Sequence, residues 1–327
     1  MLQPTLIYAG LLPFITSAGI VVALAWLQVS PRAIWAWAVA GGFVVGLVGL
    51  KSDEGLVVAL RSFARPQEAA YWLPILVLLA LGANLVLEST RLSSRPPLPS
   101  FPRRRESMRR SQLAVALAGF LTIAATLRLL SGYAGFTYNH WSAAGKLGRL
   151  ALYASALGLL WTLLASKGDS AQNSPERQPL LVLVAIGMAV VLTLSGVFVY
   201  GEYCGAIAAS ITGAALACTA LGATGYASAP TGSPLESPKA SSGVSGAAGV
   251  LTFSLGGLII LGYFFAKLST VNVALLFISL AAAGTAFPGV LANRPTWQRL
   301  ATRSALCLVP LAIAVASVAA NHLAPGQ

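Results

Sequence analysis

Glu202 is the one formal charge in an apolar run of about 48 residues, Leu180 to Ala227, where it stands in "GVFVYGEYCGAIAAS" between Tyr200 and Tyr203. A carboxylate in such surroundings has two readings. In a tight turn at a membrane–water boundary, Gly201 supplies the bend, the tyrosines mark the interface and the acid is hydrated. Held in hydrocarbon or beside a cavity, the same acid can carry a proton or bind a cation.

Arg128, in "TIAATLRLLSGY", is the second charge inside an apolar run. About one turn from the end of its segment, it can snorkel to the interface. Buried and paired, it would mark a pathway or an anion site. Arg128 and Glu202 are expected near the same membrane surface, so topology allows them to pair. Asn84 and Glu88, in "LGANLVLEST", share one helix face, with Glu88 toward the neighbouring basic loop. "GYAGFTYNHWSAAGK", residues 132–146, gathers Tyr133, Phe136, Tyr138, Asn139, His140 and Trp141. Interface belts are built from such residues. The functional alternative is a vestibule where rings stack on a ligand and His140 bonds or titrates.

Other chemistries fail on counting. The chain has two histidines, His140 and His322, and no Cys or His pair at ligand spacing. A structural zinc site needs about four ligands, so no metal, haem or other cofactor is expected. No phosphate-cradling glycine motif or nucleophile–base motif is present. Asp53 and Glu54 in "KSDEG" would be the acids of a membrane enzyme acting on a lipid-linked substrate, although a first helical turn uses such a pair equally well. Cys204 and Cys218 fall fourteen positions apart on one expected helix, about 21 Å at 1.5 Å per residue. That exceeds the roughly 7 Å a disulfide allows. With Cys307 they read as small packing residues.

The elements that must position these groups are membrane helices. Of 327 residues, 57% are hydrophobic and 9% charged, with mean hydropathy +0.77. Soluble domains are about a quarter charged. A span needs about 20 mostly apolar residues, which places helices at 7–27, 33–50, 73–90, 112–131, 147–166, 180–200, 203–226, 248–266, 272–292 and 304–320. The expectation is therefore an all-α, polytopic membrane bundle of about ten helices in one domain, residues 1–327. Run 7–27 lacks the basic flank of a signal peptide and counts as the first helix. Residues 51–72 carry helical spacing with Ser52 as a cap and Pro66 as a stop, the pattern of a short interfacial helix.

Net charge +12 and pI near 10.1 encode orientation here rather than nucleic-acid binding, because the basic residues sit in short loops. Loop 91–111, "RLSSRPPLPSFPRRRESMRRS", holds seven arginines and is expected to be cytoplasmic, which leaves both termini outside. Fourteen Lys/Arg then lie inside and six outside, and the expected location is a cytoplasmic (inner) membrane. "SFPRRRES" resembles translated repeat elements that interrupt some bacterial genes, which implies a tolerated insertion and a bacterial source. Loop 227–247, rich in Ser, Pro and Gly, reads as a second linker.

After Glu202, small residues recur every fourth position. Gly205, Ala209, Gly213 and Ala217 form one row; Ala206, Ser210, Ala214, Cys218 and Gly222 form the next. Such ridges let helices approach closely. With ten spans in about 300 residues, "YGEYCGAIAASITGAAL" resembles the glutamate-then-"GAxL" helix ends of the drug/metabolite transporter superfamily. The likeness covers one helix, its spacing after the glutamate is shorter, and no residue roles follow from it. Three functions remain open: a small-solute carrier, with Glu202 and Arg128 as its charged elements; a membrane subunit that docks on partner proteins or a second copy by its ridges; and the lipid-linked-substrate enzyme.

Overall fold

The computed structural model describes residues 6–27, 29–52, 69–92, 103–131, 133, 142–165, 177–223, 243–284 and 295–323. They form ten main helices and no strand among the described residues. We label them α1 (Ile7–Trp26), α2 (Pro31–Lys51), α3 (Trp72–Leu92), α4 (Arg103–Ser131), α5 (Ala143–Ala165), α6 (Arg177–Leu194), α7 (Phe198–Ala223), α8 (Ala248–Phe265), α9 (Thr270–Gly284) and α10 (Thr296–Leu323). All but α4 and α9 are long and apolar enough to cross a membrane; these two contribute shorter apolar stretches. The chain is by that measure a multi-pass membrane protein. Helix is the expected solution, since hydrocarbon offers no partner for a peptide N–H or C=O.

Each helix runs opposite to the one before it, giving the bundle two ends. The near end holds the start of α1, the ends of α2 and α4 and the start of α7. The far end holds the starts of α2, α6, α8 and α10. Helix α8 is the axis: from Ala248 to Gly262 its residues are buried, enclosed by α2, α3, α5 and α9.

On one flank, α1, α2 and α7 pack against each other and α6 closes against α7. Their contact is built on missing side chains. A Cβ on Gly213 would strike the backbone of Phe14, and one on Gly46 would lie 2.6 Å from Pro13 and 3.1 Å from Ala206. At Gly42 an added carbon would meet Ser17 Oγ and, at 2.6 Å, Ser210 Oγ. Ser17 Oγ donates to the Ala38 carbonyl at 2.8 Å, and Ser210 Oγ to Ala206 at 2.7 Å, so both buried hydroxyls are satisfied. The two small-residue rows of α7 thus have separate uses. The Gly205 row receives α1 and the Ala206 row receives α2, with Trp35 bonding Cys218.

Four boundaries differ from the sequence reading. The break between α6 and α7 falls at Ser195–Val197, not at Gly201–Glu202. Gly196 takes φ +92°, which favours glycine, and its N–H donates to Thr193 O at 3.1 Å. Gly201 is helical because α6 lies against it: a Cβ there would meet Thr193 Oγ1 and, at 2.9 Å, the Ala189 carbonyl. Helix α4 begins at Arg103 inside the expected linker 91–111, and α10 begins at Thr296 rather than 304. A one-turn helix at Gly243–Gly246 enters the expected linker 227–247. The interfacial-helix pattern at 51–72, with Asp53 and Glu54, falls mainly on 53–68, outside the described residues.

Substitution of Gly213 by Ala should lower stability by about 1–3 kcal/mol through overpacking, read as an earlier thermal transition in detergent. Gly205→Ala, whose new methyl would meet Ala9 at an ordinary 3.8 Å, should stay within about 0.5 kcal/mol of the parent.

Candidate functional site

At the near end, the chain couples cations to rings. The Arg128 guanidinium lies 4.0 Å from the centroid of Trp72, and Lys51 Nζ lies 5.2 Å from Tyr71. Tyr71 and Trp72 adjoin at the start of α3, so two neighbouring rings receive the cations that end α2 and α4. Arg128 is exposed, and stacking on a ring is worth about 0.5–1 kcal/mol at such a site. Its described contact is therefore with an aromatic face rather than with Glu202.

Glu202 is half-buried on the first turns of α7. Tyr200 and Tyr203 flank it and are buried, their centroids 6.4 Å apart. All three residues make interactions within the protein. The turn reading supposed a boundary loop, and the acid instead belongs to a regular helix. His140 and Trp141 lie outside the described residues. Tyr133 of the same expected vestibule is described, and it packs on Phe264 at 4.9 Å and Phe265 at 6.0 Å. Tyr153 and Tyr263 extend this group, hydrogen-bonded to each other and both against Phe264. The rings thus form a plug between α4, α5 and α8.

In the middle, α8 departs from regular helix. Thr252–Gly256 form a π-turn. Ser254 Oγ donates to Val250 O at 2.8 Å, but Thr252 Oγ1 is buried with no hydrogen-bond partner. A buried hydroxyl left so costs about 1–3 kcal/mol, and π-turns inside α-helices occur frequently at functional sites. Asn84 Nδ2 reaches across from α3 to the Gly246 carbonyl at 3.1 Å, just before α8 begins. The sequence places Asn84 on one helix face with Glu88; the helix-to-helix bond depends on packing that no local pattern records.

At the far end lies a feature the sequence reading assigned to loops. Arg177, Gln178, Arg299 and Arg303 are buried, Arg303 at 1% exposure. Arg177 opens α6, and the other two arginines share a stripe of α10 with Cys307, Leu311, Ala314 and Val318. The one available signal was spacing: Arg299, Arg303 and Cys307 continue the apolar stripe at i, i+4, i+8.

An apolar groove of about 520 Å³ opens between α1, α6 and α7, lined by Ala9, Gly10, Ile186, Gly205, Ala209 and neighbours. Part of the Gly205–Ala217 ridge is thereby filled by α1 of the same chain and part is left open. No family model, curated protein or solved structure matches this chain.

The three thiols, Cys204, Cys218 and Cys307, are free and buried. A membrane-permeant maleimide should leave all three unmodified in the folded protein and label all three after denaturation, read as mass increments on the intact chain.

Proposed function

We propose that the protein is a small-solute carrier whose central element is α8. The π-turn at Thr252–Gly256, with the buried and unsatisfied Thr252 hydroxyl, carries this reading. A tightly packed helix gains nothing by burying an orphan hydroxyl in its most enclosed stretch. A hydroxyl that bonds a passing solute recovers what burial costs. Broken or irregular helix at membrane depth is tolerated where it lines such a site. Glu202 and Arg128 enter the proposal as near-end charges on the approach to α8, with Tyr200 and Tyr203 holding the acid. A cytoplasmic-membrane location with the 91–111 side inward follows from the basic-loop asymmetry and belongs to the same proposal.

A second reading, a membrane subunit docked on a partner, is favoured by the groove between α1, α6 and α7, since small residues at a lipid-facing surface admit a second helix. Stoichiometric proteins retained through purification in mild detergent would support it over a carrier.

The carrier is tested in proteoliposomes by osmotic-shift light scattering over a panel of sugars, amino acids and organic ions. Solute-dependent flux above that of empty liposomes is expected, with Thr252→Val at least tenfold slower and no less thermally stable. Equal flux in parent and variant would discard α8 as the path, and unchanged flux in Glu202→Gln and Arg128→Ala would remove those two charges from it.

A further inference from the structure

We infer that the solute bonded at Thr252 is small, polar and uncharged, a compound of the polyol or amide class; the inference rests on the carrier reading and names its substrate. Depth comes first. Asn84 of α3 bonds the Gly246 carbonyl just before α8. A Cβ on Gly249 would lie 3.3 Å from Ala80, and one on Gly257 would lie 2.7 Å from Leu73. These three contacts set α3 and α8 antiparallel in register, and between them Thr252 falls level with Val77. That residue is central in the apolar span Ala69–Val86, so the orphan hydroxyl lies near mid-membrane.

Charge follows. The helices around the π-turn carry no Asp, Glu, Lys, Arg or His over 33–50 of α2, 72–87 of α3, 150–165 of α5, 203–223 of α7 and the whole of α8 and α9. The buried cations Arg177, Arg299 and Arg303 belong to α6 and α10, outside this ring. An ion brought to Thr252 would shed its water with no opposite charge on these helices to receive it, which is why ionised groups at membrane depth are expensive. An uncharged solute meets no such barrier.

Hydrogen bonding sets its size. A threonine hydroxyl donates one bond and accepts others, and Thr252 Oγ1 has no partner. Ser254 spends its hydroxyl on Val250 O. The walls beside them are apolar: Trp161 meets Phe253 edge-on at 5.5 Å, and Leu157, Leu160 and Phe277 face Gly256. A solute with one or two hydroxyl or amide groups is served by a single hydroxyl, whereas each further polar group would be buried unpaired. Thr252 is at 0% exposure, so the solute reaches it as the helices part in alternating access.

The test uses the full-length protein in proteoliposomes, with solute entry followed by stopped-flow light scattering after an osmotic step. The uncharged panel is glycerol, erythritol, urea and acetamide; the charged panel of similar size is choline chloride, sodium methanesulfonate and the zwitterion glycine. At least one uncharged solute should enter at least tenfold faster than in protein-free liposomes, with no charged solute more than twofold faster. Thr252→Val should lose that entry at least tenfold, and Thr252→Ser, which keeps the hydroxyl, should retain at least half of it. Entry of charged solutes as fast as uncharged ones would overturn the inference and leave the carrier standing. Entry of none would overturn both. Equal entry in the parent and Thr252→Val would remove Thr252 as the contact, and the parent panel alone decides the class if the valine variant does not fold.

Discussion

Hydrocarbon cannot supply the force that holds these helices together. Lipid tails are as apolar as leucine, so burying one apolar face against another gains little by exclusion from solvent, and association falls to close contact and a few hydrogen bonds. The fold shows the consequence in its glycines. Where α1 crosses α2 and α7, the contact points are Gly42, Gly46, Gly49 and Gly213, and an added carbon at each would meet atoms of α1. Dispersion falls steeply with distance, so removing a side chain at the crossing brings two whole backbones into range. Ser17 and Ser210 fit the same seam because each returns its hydroxyl to a backbone carbonyl.

That constraint also explains where the polar groups lie. In a bundle held by contact, an interior polar atom needs a partner or a purpose. Most have partners: Asn84 bonds Gly246, Ser279 bonds the Cys307 carbonyl at 2.6 Å, and Ser254 bonds Val250. Among the described residues, the Thr252 hydroxyl in the π-turn and Asn272 Oδ1 at the start of α9 are buried without one. The near end settles its charges differently, by laying Arg128 and Lys51 on rings at the boundary where aromatic belts belong. One end of the molecule thus lays positive charge on partly buried aromatic faces, while at the other Arg177, Arg299 and Arg303 are buried inside the bundle.

The ten helices were legible in the sequence because span length and hydropathy are local quantities, and hydrocarbon permits helix as the local answer. The small-residue rows after Glu202 were legible for the same reason, since a four-residue period defines a ridge without reference to any partner. Helix ends were less so. "VYGEY" and "LSGVF" both offer a glycine among apolar residues; α6 packing on Gly201 decides that the bend is taken at Gly196. Arg299 and Arg303 carry the charge that marks a loop, and they belong to helix because α10 continues its buried stripe through them.

Composition and periodicity alone determined the apolar surroundings, the helical class, the ten main helices and the row of α7 against which another helix could lie. Only tertiary structure decided that α1 packs on part of this row, that α8 is the enclosed axis, that Arg128 meets Trp72, and that Arg177, Arg299 and Arg303 are buried. The division has a physical origin. Transfer of a segment into lipid depends on the residues of that segment, whereas proximity between segments depends on which backbones can approach, a property shared by two stretches of chain far apart in sequence.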